Sequence, residues 1–162
     1  MDLETTRLCA PSADLSGLTR SYVREAFLAV PDSVPEARRA ITEFAAAAGA
    51  SPDQLDAIRL SASEALTNVV KHAYPSRTGH IHVTVRVAGG ELWVLIADNG
   101  CGMRAGRDSD GLGLGLALIS QTTDGFSIVE RSCGGTELRL RYTLPATVPV
   151  HTRLTPRARR PR

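Results

Sequence analysis

The chain has 162 residues, 43% of them hydrophobic and 22% charged, a size and balance that fit one domain and exclude disorder along the whole length. Aromatics are only 4%, so the core must be built from Ala, Leu, Val and Ile, and no apolar run approaches the roughly 18 residues of a membrane span. The net charge of +2 hides an asymmetry: residues 151–162 hold five arginines and no acid, leaving 14 basic against 17 acidic residues elsewhere, so the basic balance belongs to a tail and no direct nucleic-acid binding is expected.

Taken in chain order, residues 1–24 lack a clear period and read as a flexible leader; its acidic start, Met1-Asp2-Leu3-Glu4, is not a secretory signal. Phe27-Leu28-Ala29-Val30, stopped by Pro31, reads as a strand. Ser33 to Ala48 reads as a helix with Ala37, Ile41, Phe44 and Ala45 at helical spacing. Ser51-Pro52-Asp53-Gln54 has the form of a capping box with proline at the first helical position, opening a second helix to about Ala73. Ile81, Val83, Val85 and Val87 alternate as a strand, Gly89-Gly90 turns, and Leu92 to Ala97 is an unbroken apolar run expected to be buried on both faces.

Asn99 to Gly115 holds six glycines and reads as a long loop, followed by a helix over Leu116 to Thr123. Phe126 to Cys133 and Thr136 to Leu144 form a hairpin around Gly134-Gly135, and residues 146–162 read as an Arg/Pro-rich disordered tail. The order predicts an α+β sandwich, with helices on one face of a mixed, mainly antiparallel sheet. Three widely spaced cysteines (Cys9, Cys101, Cys133) with no CxxC pair favour reduced thiols in a cytosol.

Four segments carry candidate chemistry. On the second helix Leu55, Ile58, Ala62, Ala65, Leu66 and Val69 share an apolar stripe, while Ser61, Glu64, Asn68, Lys71 and His72 gather on the other side. That side reads either as a solvated face or as a general base plus an oxygen ligand for magnesium, Glu64 and Asn68 being one turn apart. Lys71 is the only lysine among 19 basic residues. Asp98-Asn99-Gly100-Cys101-Gly102 is either an ordinary turn or a strand-end carboxylate that accepts a ligand amine. Gly100 to Ala105 matches G-x-G-x-x-A, but residues 103–110 lack the apolar period of the helix a dinucleotide-binding loop requires. Gly111 to Ile119 reads either as a flexible linker with tight helix packing or as a glycine-rich stretch opening a helix whose free N–H groups suit phosphate, and Gly134-Gly135-Thr136 is by itself a hairpin turn.

Together, in this order, the segments resemble the boxes of the GHKL (Bergerat-fold) ATPases. Glu64 to Tyr74 looks like their N box, Asp98 to Gly102 the first glycine box, Gly113-Leu114-Gly115-Leu116 the second, and Gly135-Thr136 the end of the last. The short chain, the lead-in Ser61-Ala62-Ser63 and the upstream Ala37-Arg38-Arg39 are most similar to the anti-sigma factor serine/threonine kinases of bacterial partner-switching systems. The resemblance covers residues 25–145 and implies a histidine-kinase-like ATPase domain there, binding ATP and magnesium.

It implies Glu64 as the general base, Asn68 as the magnesium ligand and Asp98 as the partner of the adenine amino group. Gly100 and Gly102 would shape the base pocket, and residues 103–112 the lid, with Arg104 and Arg107 its only cations. Gly113 and Gly115 would offer backbone to the phosphates, and Thr136 would support Asp98. Lys71 and His72 match the basic-His pair of the motif. The implied function is a cytoplasmic kinase that phosphorylates a serine of an antagonist protein and sequesters a sigma factor, with a homodimer as a further expectation and no membrane partner. The alternative is an ATP-dependent partner-binding regulator without turnover. The catalytic domain of a sensor histidine kinase is disfavoured, because no helical phosphoacceptor hairpin is present.

Overall fold

The computed structural model describes residues 22–102 and 112–146. Most of the expected leader, the lid residues 103–111 with Arg104 and Arg107, the tail from residue 147 and Cys9 lie outside the described residues. In chain order the elements are β1 (Tyr22–Leu28), α1 (Ser33–Ala47), α2 (Pro52–Asn68), β2 (His80–Ala88), β3 (Glu91–Asp98), α3 (Leu112–Thr122), β4 (Gly125–Glu130) and β5 (Thr136–Thr143). The strands form one sheet in the order β1-β2-β3-β5-β4. This is the expected α+β sandwich, but every pairing is antiparallel rather than mixed. β3 and β4 run the same way through the α3 crossover, and β5 inserts between them, which removes the one parallel contact the order allowed.

One face of the sheet makes the core. Val83, Ile96 and Leu138 stand side by side across β2, β3 and β5, as do Val85, Val94 and Leu140. Ile41 of α1, Ile58 and Leu66 of α2 and Ile119 of α3 cover them, all without solvent exposure. Each such side chain contributes about 1.5–3 kcal/mol of burial, so α2, lying across the sheet centre, is fixed by apolar contacts along one stripe. Its start is fixed as well: Gln54 N–H donates to Ser51 Oγ at 3.2 Å and Ser51 N–H to Gln54 Oε1 at 3.0 Å, the capping box read in the sequence. The β3 run is buried on both faces over Val94 to Asp98, while Trp93 stays partly exposed.

Several expectations are corrected. β1 starts at Tyr22 and stops at Leu28, because it is an edge strand on which only Phe27 is buried, so its first half carries little apolar signal. α2 ends at Asn68, and Val69–Ala73 form a π-helical turn rather than a last α-helical turn. α3 begins at Leu112, not Leu116, and takes Gly113 and Gly115 into its first turns, where packing against α2 overrides poor glycine propensity. Ser61 is fully buried rather than on the polar face: it donates to Ala57 O at 2.8 Å and is hydrogen-bonded to the Tyr142 hydroxyl. Among the described residues no helix is long and apolar enough to cross a membrane.

Candidate functional site

A cavity of about 440 Å³ opens between the end of α2, the π-helical turn, the end of β3, the start of β5 and α3. Its walls are apolar, with Ala65, Val69, Ile96, Leu116 and Leu138, and its polar groups come from Asn68, His72, Asp98 and Thr136. An apolar slot of this size with a few converging polar groups is the usual form of a small-molecule site.

Asp98 is the last residue of β3 and is only 5% exposed. Its Oδ1 accepts the Gly100 N–H at 2.8 Å, and the Thr136 backbone N–H also bonds the carboxylate. Burial pushes its pKa up from the ordinary value, while those two amides and the nearby Arg131 guanidinium oppose the rise. A carboxylate has about four acceptor positions, so two amides leave it able to accept a further N–H from a ligand in the slot.

Glycine is required on both sides of this turn. A Cβ on Gly100 would lie 2.1 Å from the Ala73 carbonyl oxygen, and one on Gly135, whose φ is +86°, would lie 2.1 Å from the Asp98 carbonyl oxygen. The π-helical turn explains the first of these approaches. It brings the Ala73 carbonyl round to accept the Cys101 N–H at 2.9 Å, tying the end of α2 to the loop after β3.

The polar residues of α2 distribute unevenly around the cavity. Asn68 and His72 line it, and Lys71 is exposed and does not. Glu64 is one turn before Asn68 and is partly buried; its Oε2 lies 3.0 Å from where a Gly115 Cβ would stand, with Asn68 Nδ2 at 3.7 Å from the same point. Thus Gly115 of α3 faces both side chains, and Gly113 lies in the same first turns of that helix. Gly102 lines the cavity, whereas Gly100 serves the packing against Ala73. Among the described residues no group of three His, Cys, Asp or Glu could hold a metal by itself. The Asn68 amide oxygen does fit magnesium, a hard cation that takes one or two protein oxygens and completes its shell with water and phosphate.

Three polar side chains around the Asp98 turn were not singled out in the sequence. The Tyr74 hydroxyl accepts the Asn99 N–H at 2.9 Å, Arg77 Nη2 donates to Asn99 O at 2.8 Å, and Arg131 Nη1 donates to Asp98 O at 2.8 Å. Tyr74 closes the N-box segment and was legible as such; the two arginines, among 18 in the chain, carried no signal. Cys101, Leu116 and Leu138 also line the cavity.

A family model for the histidine kinase-like ATPase domain matches residues 27–142, a span that includes every element except the start of β1 and the end of β5. The chain belongs to that family. It is 26% identical over 117 residues to an anti-sigma F factor of Clostridium botulinum, a match covering 65% of this chain and 82% of that relative. It is 31% identical over 93 residues to the serine-protein kinase RsbW of Bacillus licheniformis, covering 57% of this chain and 58% of the kinase. A solved structure of the RsbU and RsbW domains of Rv1364c from Mycobacterium tuberculosis has the same fold, with a TM-score of 0.61 and 23% identity. The match covers 77% of this chain and a third (33%) of that longer one.

Proposed function

We propose that this chain is an ATP-dependent protein serine kinase of the anti-sigma factor type, which phosphorylates a serine of an antagonist protein and sequesters a sigma factor in the cytoplasm. The observation that carries the reading is the placement of a buried, amide-held Asp98 carboxylate in an apolar slot whose other polar wall is Asn68, one turn from Glu64. The names of the relatives support both halves, since they include an anti-sigma factor and a serine-protein kinase.

In this reading adenine enters the slot with its 6-amino group donating to Asp98. Ile96, Leu116 and Leu138 exclude water from the ring. Asn68 would hold magnesium by its amide oxygen, and the ion would supply charge neutralisation for the phosphates. Glu64 accepts the proton of the incoming serine hydroxyl as its oxygen bonds to the γ-phosphorus and the bond to the β-phosphate oxygen breaks, leaving ADP. Little covalent work falls to the protein in such a transfer, which is mostly positioning and electrostatics. The test is phosphotransfer from γ-labelled ATP to a cognate antagonist protein: label on serine, lost in Glu64→Ala while ATP binding persists, is the expected result. Tight ATP retention without ADP or phosphoprotein would favour a nucleotide-dependent binding regulator instead.

A further inference from the structure

The carboxylate of Asp98 is useful only if the turn that carries it is held still, and one side chain outside the cavity grips that turn directly. Arg131 follows β4, is partly buried and does not line the cavity. Its Nη1 donates to the Asp98 carbonyl oxygen at 2.8 Å and also to Asn99 Oδ1. The backbone of Arg131 is itself anchored: its N–H donates to Gly135 O at 3.1 Å, and its carbonyl accepts the Gly134 N–H at 2.9 Å. One guanidinium nitrogen therefore links the β4–β5 turn, which supplies the Thr136 amide, to the turn after β3, which supplies the carboxylate.

We infer that Arg131 is a positioning residue for base recognition, fixing the Asp98–Asn99 turn so that the slot prefers a purine bearing a 6-amino group. The inference rests on the assignment of Asp98 to the adenine amine. Two features separate Arg131 from the other groups on the same turn. Within this turn Arg77 and Tyr74 reach Asn99, Tyr74 also donating to His80 O at 2.8 Å, and the Arg77 side chain is exposed, whereas Arg131 reaches the residue that touches the ligand. Its positive charge also favours the ionised Asp98 over the neutral acid. A neutral acid would offer the amine a poorer acceptor, so geometry and charge act in the same direction.

The experiment is calorimetric titration of wild type and Arg131→Met with magnesium and either ATP or purine riboside 5′-triphosphate, which lacks the 6-amino group. Melting of each protein checks that it is folded. The wild type should prefer ATP. In Arg131→Met, ATP affinity should fall about 5- to 20-fold, in the range of one charge-assisted hydrogen bond only partly transmitted. Affinity for the analogue should change by less than about 2-fold, since it never uses the carboxylate. If Arg131→Met does not fold, Arg131→Lys, which keeps the charge and a donor, should give a preference between those of wild type and no discrimination. Equal weakening of both nucleotides, or no change in either, would overturn the inference alone. A wild type that binds both nucleotides equally would overturn the Asp98 assignment, and the inference with it.

Discussion

Alkaline titration of one buried tyrosine should loosen the helix that carries Glu64 and Asn68. Tyr142 of β5 is 2% exposed, its hydroxyl is hydrogen-bonded to Ser61 of α2, and burial raises its pKa from 10.0 to about 12. The folded state thus holds the phenolic proton more tightly than the unfolded chain. The resulting stability is whole below pH 10 and is lost as pH rises from about 10 to 12. Two pKa units correspond to about 2.7 kcal/mol in all, and about 1.4 kcal/mol of that is gone at pH 11. The comparison to make is with Tyr142→Phe, because the other titrations are common to both proteins and cancel. At pH 8 the Phe variant should be less stable by about 0.5–1.5 kcal/mol, one net hydrogen bond. Ser61 is not orphaned there, since it still donates to Ala57 O. By pH 11 that gap should close or reverse, read from urea unfolding of both proteins at pH 8, 9, 10 and 11. A gap that stays constant across the series would mean that the Tyr142 hydroxyl reaches water, and the reasoning would fail.

Three further outcomes concern the nucleotide turn. Asp98→Asn should weaken ATP about 10- to 150-fold, the loss of a charge-assisted bond of about 1.5–3 kcal/mol, measured by calorimetry with magnesium. The same variant should melt higher than wild type at neutral pH without nucleotide. Asp98 has a raised folded pKa, so its contribution is present at low pH and lost as pH rises through that value, and the amide removes this loss; a variant that melts lower and binds ATP normally would contradict both statements. Gly135→Ala should cost more than about 3 kcal/mol, combining a left-handed backbone penalty of about 1–2 kcal/mol with a Cβ driven against a carbonyl that has no room to yield. The observed φ is +86° and the approach 2.1 Å; a melting temperature close to that of wild type would show that the turn can open without loss.

Much of the fold was legible because the sequence changes period where the structure changes element. The capping box at Ser51 and Gln54, the alternation from Ile81 to Val87 and the run from Leu92 to Ala97 each carry a local physical signal, and each element forms there. What was not legible depended on contacts between distant segments. Ser61 lies on the polar side of the helix by angle, yet Tyr142, 81 residues away, gives its hydroxyl a buried partner. Gly113 and Gly115 read as loop, yet α2 packs against α3 closely enough to keep them helical. Of the candidate site, the four segments named in the sequence do converge on one cavity, but the residues that hold them in place, Arg77 and Arg131, are long side chains that each reach a backbone oxygen. No spacing rule announces such a contact, because a carbonyl is present at every residue.

The α2–α3 contact yields a prediction in which stability and activity part. In a helix, Gly→Ala gains about 0.5–1 kcal/mol from reduced backbone entropy. At Gly115 the new methyl would stand 3.0 Å from Glu64 Oε2 and 3.7 Å from Asn68 Nδ2. The second distance is ordinary contact, so Asn68 need not move. The first is tight, but the obstacle is the far end of a flexible side chain, which can rotate away at small cost. Gly115→Ala should therefore melt at or above the wild-type temperature and bind ATP within about 3-fold of it, well under one lost hydrogen bond. Phosphotransfer should fall about 10- to 100-fold, because a reacting group displaced by as little as 1 Å costs that much. The paired readout is thermal unfolding beside phosphotransfer to the antagonist serine. Activity that survives in a folded Gly115→Ala would remove Glu64 from the proposed chemistry, since the one group the methyl displaces would then not matter. Loss of ATP binding together with activity would instead mean that the first turn of α3 shapes the nucleotide site as a whole.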